Sequence, residues 1–167
     1  MSELIQAGVT SSETSAAKEP ALKNLDASLL RINRTTTPRK VPEPNSNEVW
    51  SQRSCADHMI SVTWTSDVGW HAPEINPYGS LTIMPTASCL HYATSCFEGM
   101  KVYRGYDGKL RLFRPDRNCQ RLVLSSSRVS LPTFDPLELE KLIKVLVKLD
   151  APRKIYQVLL FALGFIF

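Results

Sequence analysis

Seven residues carry thiol or imidazole groups, and their spacing favours neither a metal centre nor a disulfide framework. No Cys-x-x-Cys pair occurs, and no histidine stands at metal-ligand spacing from a cysteine. We therefore expect no metal site, reduced thiols and an intracellular protein. The residues are Cys55, Cys89, Cys96, Cys119, His58, His71 and His91.

The composition predicts one soluble globular domain. The chain has 167 residues, of which 43% are hydrophobic and 22% charged, and its net charge is +4. Lysines and arginines are scattered among acidic residues, which argues against a nucleic-acid or membrane-surface partner. The longest apolar run, Val158–Phe167, is too short to span a bilayer.

Four short segments have the β-branched and aromatic content of strands. Gly105–Gly108 separates the last two of them, and its Asp-Gly pair is typical of a β-hairpin. The predicted strands are Met59–Trp64, Ser80–Met84, Met100–Arg104 and Lys109–Phe113.

Two helices are predicted after the hairpin. The first covers Asp116–Val129, with Pro115 at its first position. The second begins at Pro136, because Asp135 can cap it, Asp135 and Glu138 form a capping box and leucines then recur at helical spacing. The expected fold class is α+β: a small domain with a mostly antiparallel sheet, one hairpin and two helices.

Three regions differ in composition. Residues 1–47 are predicted to be a disordered leader, in which Leu22–Ile32 forms at most a transient helix that docks weakly or not at all. Residues 48–150 are the predicted domain, and residues 151–167 form an apolar tail. The leader carries acidic residues that mitochondrial presequences avoid, so a cytoplasmic location is favoured over a mitochondrial one.

Residues 48–150 resemble the eukaryotic branched-chain amino-acid aminotransferases, which are pyridoxal-phosphate enzymes of fold type IV. Any one of the shared motifs alone is weak, but six in the same order are specific. They are Asp57–Met59, Gly69–Trp70, the block from His91–Tyr92 to Phe97–Gly99, Arg111–Pro115, Asn118–Arg121 and Leu131–Asp135. The resemblance implies the N-terminal small domain of that fold.

The resemblance also assigns roles to single residues. Arg121 matches the arginine that contacts the phosphate of pyridoxal phosphate; without the resemblance, a surface arginine is the simpler interpretation. Tyr92 and Phe97 match residues that line the pocket for the substrate's aliphatic side chain, with a core position as the alternative for Phe97. Cys55 stands where the family usually has a phenylalanine that helps close this pocket. Glu98 is expected to bind neighbouring amides rather than act as an acid.

In the family, the lysine that binds the cofactor covalently and the acid beside the pyridine nitrogen come from the second, larger domain. The chain is therefore expected to be a truncated enzyme that is inactive alone. The reaction implied is amino transfer between leucine, isoleucine or valine and 2-oxoglutarate. A non-catalytic module that pairs with a full-length paralogue is the alternative, and a homodimer is the other partner considered. A D-amino-acid transaminase of the same fold type is a further alternative, and the long leader and Gly69–Trp70 argue against it.

The family pattern ends after Asp150, where a Tyr-x-Arg-Pro element is expected and Ala151–Tyr156 stands instead. Two explanations are open. An internal deletion would join the last helix to an apolar strand that leads into the larger domain. A frame change or an unspliced intron would give a tail without a designed structure, and this second explanation is slightly favoured.

Overall fold

The computed structural model of the chain describes residues 21–43, 46–51, 55–151 and 161–164. In chain order the helices are a 3-10 turn at Ala27–Leu29, α1 (Asn47–Trp50), α2 (Ser88–Tyr92), α3 (Pro115–Arg128) and α4 (Pro136–Asp150). The strands are β1 (Arg31–Ile32), β2 (His58–Ser61), β3 (Trp64–Thr65), β4 (Gly69–Trp70), β5 (Glu74–Pro77), β6 (Phe97–Met100), β7 (Val102–Arg104), β8 (Leu110–Leu112) and β9 (Phe161–Gly164).

Both long helices begin at the prolines that the sequence predicted for their first positions. At α4 the Asp135 carboxylate accepts a hydrogen bond from the Leu137 N–H at 2.8 Å, and Pro136 occupies the first turn. At α3 Pro115 again occupies the first turn. The predicted reciprocal bond from Glu138 to the Asp135 N–H does not form: the Glu138 carboxylate instead accepts the Ala27 N–H at 2.7 Å and pairs with Lys141.

The strands form several small sheets. In the three-stranded one the order is β1-β5-β2, with β5 parallel to β1 and antiparallel to β2. Strands β7 and β8 form the predicted hairpin, whose turn has Gly108 at φ +74°. Strands β3 and β4 pair antiparallel, as do β6 and β9. The architecture is α+β with mostly antiparallel pairing, as predicted.

Two hydrophobic clusters hold the helices against the strands. The first joins α4 to the sheet residues Ile75, Met100 and Val102, all at most 2% exposed. The second lies around Trp70, where the Phe134 ring packs edge-on at a centroid distance of 5.9 Å. Leu122 of α3 and Leu142 of α4, at most 2% exposed, belong to this second cluster.

The strand predicted at Ser80–Met84 is wrong. Residues 80–84 form no strand, and their side chains are exposed, with Met84 70% accessible. No neighbouring strand is paired with them in the described part of the chain, so alternation of apolar residues alone does not produce a strand here. The strand predicted over Met59–Trp64 is also divided, since β2 ends at Ser61 and β3 begins at Trp64.

The prediction that Leu22–Ile32 docks weakly or not at all is likewise wrong. Leu25 is only 5% exposed, and the Lys23 backbone exchanges hydrogen bonds with Val68 and Trp70 at 2.8 and 2.9 Å. Gly69 allows this approach, because a Cβ there would lie 2.5 Å from the Lys23 carbonyl oxygen. Leu25, the partly buried Ala27 and Leu30, and the backbone pairing together hold a segment of otherwise polar composition.

The other regional predictions are only partly within the described ranges. Residues 1–20, 44–45, 52–54, 152–160 and 165–167 lie outside them. Of the predicted apolar tail, Phe161–Gly164 is a strand that pairs in register with all four residues of β6. Among the described helices, none combines the length and the apolar character that crossing a bilayer requires.

Candidate functional site

The best-defined polar cluster joins strand β6 to helix α3 through Glu98. Its carboxylate accepts two hydrogen bonds from the Arg121 guanidinium, each at 2.8 Å: Nε donates to Oε2 and Nη2 to Oε1. Oε1 also accepts the Gly99 N–H and the Asn118 Nδ2, both at 3.0 Å. Since Asn118 lies nearly one helical turn before Arg121, both donors come from one face of α3.

The two charges of this pair differ in their exposure to solvent. The Glu98 side chain is 12% exposed and that of Arg121 is 60% exposed. Hydrogen bonds from Arg121 and Asn118 lower the pKa of Glu98 below its usual value, and Glu98 in turn raises the pKa of Arg121. The carboxylate is therefore ionised at neutral pH, and the exposed guanidinium is anchored along one edge.

Phe97 directly precedes Glu98 in β6, but strand alternation places the two side chains on opposite faces. Phe97 is 72% exposed, so the core position considered for it is wrong. Tyr92 ends α2 and is 80% exposed. The following residue, Ala93, adopts a left-handed conformation with φ 51°, which turns the chain towards β6. Both aromatic residues thus present apolar area to solvent.

Cys55 is half-buried beside Tyr78. A hydrogen bond with the Cys55 thiol is the main reason that the pKa of Tyr78 is raised. Arg39 lies over the ring of Tyr78, with its Cζ 4.9 Å from the ring centroid. The Cys55 thiol therefore contacts the segment that follows β5.

An open groove of about 620 Å³ lies where α3 ends. Hydroxyl groups and the Trp64 ring form much of its lining, and none of the residues with a predicted site role lines it. Its lining residues are Trp64, Ser88, Thr94, Ser127, Val129, Ser130, Leu131, Pro132 and Thr133.

A second carboxylate cluster, which the sequence did not predict, is closed to solvent. His58 and Asp150 are 7% and 3% exposed, and His58 Nδ1 lies 2.7 Å from Asp150 Oδ1. Because His58 Nε2 accepts the Thr35 N–H at 3.0 Å, Nδ1 is the ring nitrogen that donates to Asp150. The Asp150 carboxylate also accepts the His58 N–H at 3.2 Å. This cluster ties β2, the end of α4 and the N-terminal segment together.

Sequence reasoning identified part of the Glu98 cluster. The expectation that Glu98 binds neighbouring amides is confirmed by the Gly99 and Asn118 contacts. Its pairing with Arg121 was missed, because the two residues are 23 positions apart and lie on different elements. Sequence spacing predicts side-chain pairs within one helix or one strand, and it does not predict a pair between a strand and a helix that are separated by a hairpin.

Comparison with known proteins gave close relatives, although no family model matches the chain. It is 47% identical over 129 residues to the cytosolic branched-chain-amino-acid aminotransferase of Saccharomyces cerevisiae, a match that covers 77% of this chain and 34% of the yeast protein. The mitochondrial enzyme of the same yeast is 44% identical over 126 residues, covering 75% of this chain and 32% of that protein.

Among solved structures, a branched-chain amino acid aminotransferase complexed with N-(5'-phosphopyridoxyl)-L-glutamate is similar at 23% identity and a TM-score of 0.49. The match covers 66% of this chain and 32% of that one. The chain thus spans about a third of the length of the curated relatives that it matches. Over the matched residues, which are about three quarters of its length, the chain belongs to the family of branched-chain-amino-acid aminotransferases.

Proposed function

We propose that residues 48–150 form the small domain of a pyridoxal-phosphate-dependent branched-chain aminotransferase. The observation that carries this proposal is the 47% identity over 129 residues to an enzyme of that name. In this proposal the domain holds the cofactor's phosphate and forms one wall of the substrate pocket. The substrates are leucine, isoleucine or valine, with 2-oxoglutarate as the acceptor of the amino group.

Arg121 fits the phosphate of such a cofactor. A guanidinium has five N–H groups, and the pair with Glu98 uses one on Nε and one on Nη2. Among the described residues no partner is recorded for the other three, so a phosphate can bind there through two N–H groups at once. When bound, pyridoxal phosphate supplies the electron sink for amino transfer. The contribution of Arg121 is to seat and orient it.

Tyr92 and Phe97 fit the aliphatic part of a branched-chain substrate. Both rings are mostly exposed, and an aromatic wall binds Leu, Ile or Val mainly through the apolar area that leaves water. Cys55 offers a smaller side chain than the phenylalanine usual in the family. We propose that it leaves a wider pocket wall, which tolerates larger aliphatic groups.

The chain alone is proposed not to transaminate. The resemblance assigns the covalent lysine and the acid beside the pyridine nitrogen to the larger domain. The matched region spans about a third of the relatives' length. Arg121, Tyr92 and Phe97 can bind and orient ligands, but none of them has an amine that could form the covalent link to the cofactor.

A chimera tests this proposal directly. Residues 48–150 replace the corresponding segment of the yeast cytosolic relative, and transamination of leucine is measured beside the 167-residue chain alone. The chimera should be active and the chain inactive. In the chimera Arg121→Ala should weaken binding of pyridoxal phosphate about ten- to a hundredfold, because a charged hydrogen-bonding partner is lost.

Arg117→Ala is the matched control, since Arg117 lies on the same helix, is 67% exposed and pairs only loosely with Asp116 at 3.6 Å. It should leave cofactor affinity unchanged. An inactive but folded chimera, or turnover by the isolated chain, would contradict the proposal.

A second candidate is a binding module that pairs with a full-length paralogue or with another copy. The observation that favours it is a series of exposed apolar side chains from the end of β5 to the first residue of β6, since exposed apolar surface is typical of interaction sites. Sedimentation of the purified chain separates the candidates, because a binding module should self-associate or co-sediment with the paralogue. The run comprises Tyr78, Leu81, Ile83, Met84, Leu90, Tyr92 and Phe97.

The relatives include both cytosolic and mitochondrial forms. We propose the cytoplasm for this chain, because Glu3, Glu13, Glu19 and Asp26 place negative charge where import sequences avoid it.

A further inference from the structure

The geometry of the Glu98 cluster points to a role for Glu98 itself: we propose that it is a positioning residue, which holds the Arg121 guanidinium ready for a phosphate group. This inference rests on the proposed function of Arg121. It adds that the affinity of the site for phosphate depends on a second residue that does not touch the phosphate.

The Glu98 carboxylate is fixed independently of Arg121. It lies on strand β6, is 12% exposed, and accepts the N–H of Gly99 next to it in the chain. Asn118, itself 8% exposed, donates to both the carboxylate and the Gly99 carbonyl oxygen at 3.0 and 2.7 Å. Strand backbone and helix therefore anchor the acid before Arg121 contributes anything.

Arg121, by contrast, is a long side chain on the solvent side of α3. Left unpaired, it would sample many rotamers, and a ligand would have to immobilise it at a cost in affinity. The two 2.8 Å hydrogen bonds to Glu98 fix the plane of the guanidinium in the free protein. Because they use the Nε–Nη2 side, both N–H groups of Nη1 and one of Nη2 remain for a phosphate oxygen pair.

An acid next to the binding arginine has two opposing effects on anion affinity. Its negative charge repels the anion, and that effect alone would make Glu98→Gln bind phosphate more tightly. Its positioning effect works the other way, because a glutamine cannot accept both Arg121 hydrogen bonds as the carboxylate does. The pair is exposed on the arginine side and screened by water, so the repulsion is small. We expect the positioning effect to dominate.

The same chain offers a matched control at the hairpin. Arg111 makes two hydrogen bonds of 2.8 Å to Asp107, and both side chains are about half exposed. Asp107→Asn therefore removes one negative charge beside an exposed, paired arginine, as Glu98→Gln does. It leaves the β6–α3 cluster untouched.

The experiment titrates inorganic phosphate, and separately pyridoxal phosphate, into the full 167-residue chain, and NMR follows the Arg121 Nε–H and the Gly99 amide. In the parent, the Arg121 Nε–H should give a sharp, slowly exchanging resonance that shifts on titration. In Glu98→Gln this resonance should broaden and phosphate should bind about three- to tenfold more weakly. Asp107→Asn should match the parent in both respects.

Tighter or equal phosphate binding by a folded Glu98→Gln chain would overturn the positioning role. Arg121→Ala distinguishes that failure from failure of the proposed function. If Arg121→Ala abolishes the Gly99 shift while Glu98→Gln does not weaken it, Arg121 binds phosphate and only the role of Glu98 is wrong. If the parent shows no saturable shift, or if Arg121→Ala leaves the shift unchanged, both are wrong. Backbone spectra of each variant confirm the fold.

Discussion

Asp150 and Glu98 are both shielded carboxylates that accept several hydrogen bonds, and they differ in how exposed their charged or polar partner is. Asp150 is 3% exposed, and its partner His58 is 7% exposed and accepts the Thr35 N–H with its other nitrogen. Glu98 is 12% exposed, but its partner Arg121 is 60% exposed and has N–H groups that the pair with Glu98 does not use.

This difference separates a structural cluster from a binding cluster. Where both ring nitrogens and the carboxylate are already hydrogen-bonded, no polar capacity is left for a ligand, and the contacts serve to join three segments of chain. Where a shielded acid holds an exposed arginine, the guanidinium is fixed at the protein surface and still has N–H groups that can bind a ligand. Burial of the partner, rather than of the carboxylate, distinguishes the two cases.

The largest expected effect is at the closed cluster. Asp150→Ala leaves the His58 Nδ1–H and the His58 backbone N–H without their buried acceptor, so the free energy of unfolding should fall by about 3 kcal/mol. Urea denaturation followed by tryptophan fluorescence measures this change. Proteolysis of residues 31–39 should also accelerate, because the Thr35 bond depends on the same ring.

Asp107→Ala is the control, since Asp107 is exposed and its contacts lie within the hairpin turn and its second strand. It should leave the urea midpoint nearly unchanged. Equal midpoints for Asp150→Ala and the parent would mean that the closed cluster does not stabilise the fold.

The sequence predicted the elements whose causes are local. The start of α4 follows from Asp135 and Pro136, and the hairpin follows from Asp107 and Gly108. Elements that depend on a distant partner were predicted less well. The segment around Leu25 is held by Trp70 and Leu122, and the expected strand at Ser80–Met84 lacks a neighbour within the described chain. The local pattern of apolar residues predicts neither the distant contacts of Leu25 nor the lack of a neighbouring strand.

The same division explains the candidate site. Resemblance selected Arg121, Tyr92, Phe97 and Cys55 one by one, and their roles remain predictions. The arrangement of the clusters could not be predicted, because the partners of Arg121 and Asp150 are 23 and 92 positions away. Such pairs become visible only when the helices are packed on the strands.

An intermediate effect is expected for acid stability at the open cluster. The Arg121 hydrogen bonds lower the pKa of Glu98 below its usual 4.5, so the folded state holds its proton less tightly than the unfolded state does. The resulting stabilisation is complete above about pH 4.5 and is lost as the pH falls through the lower, folded pKa. Between pH 6 and pH 3, Glu98→Gln should therefore lose about 1 kcal/mol less stability than the parent.

Other acids contribute a common background to this loss, since the pKa values of Asp26, Asp107 and Glu138 are also lowered. The difference between the parent and Glu98→Gln removes that background. Parallel curves of stability against pH for the two proteins would show that the Glu98–Arg121 pair does not stabilise the fold.

The smallest effect on stability is expected beside the open cluster, at Phe97. Its ring is 72% exposed, whereas Phe134 is 8% exposed and packs against Trp70, so the two phenylalanines form a matched pair. Phe97→Ala should change the free energy of unfolding by less than about 0.5 kcal/mol, while Phe134→Ala should lower it by about 3 kcal/mol. Urea denaturation of both variants measures the contrast. In the chimera with the yeast relative, Phe97→Ala should instead raise the KM for leucine, because the residue supplies apolar area to the substrate and not to the core.

A large loss of stability in Phe97→Ala would place this ring with the core side chains and remove it from the proposed pocket wall.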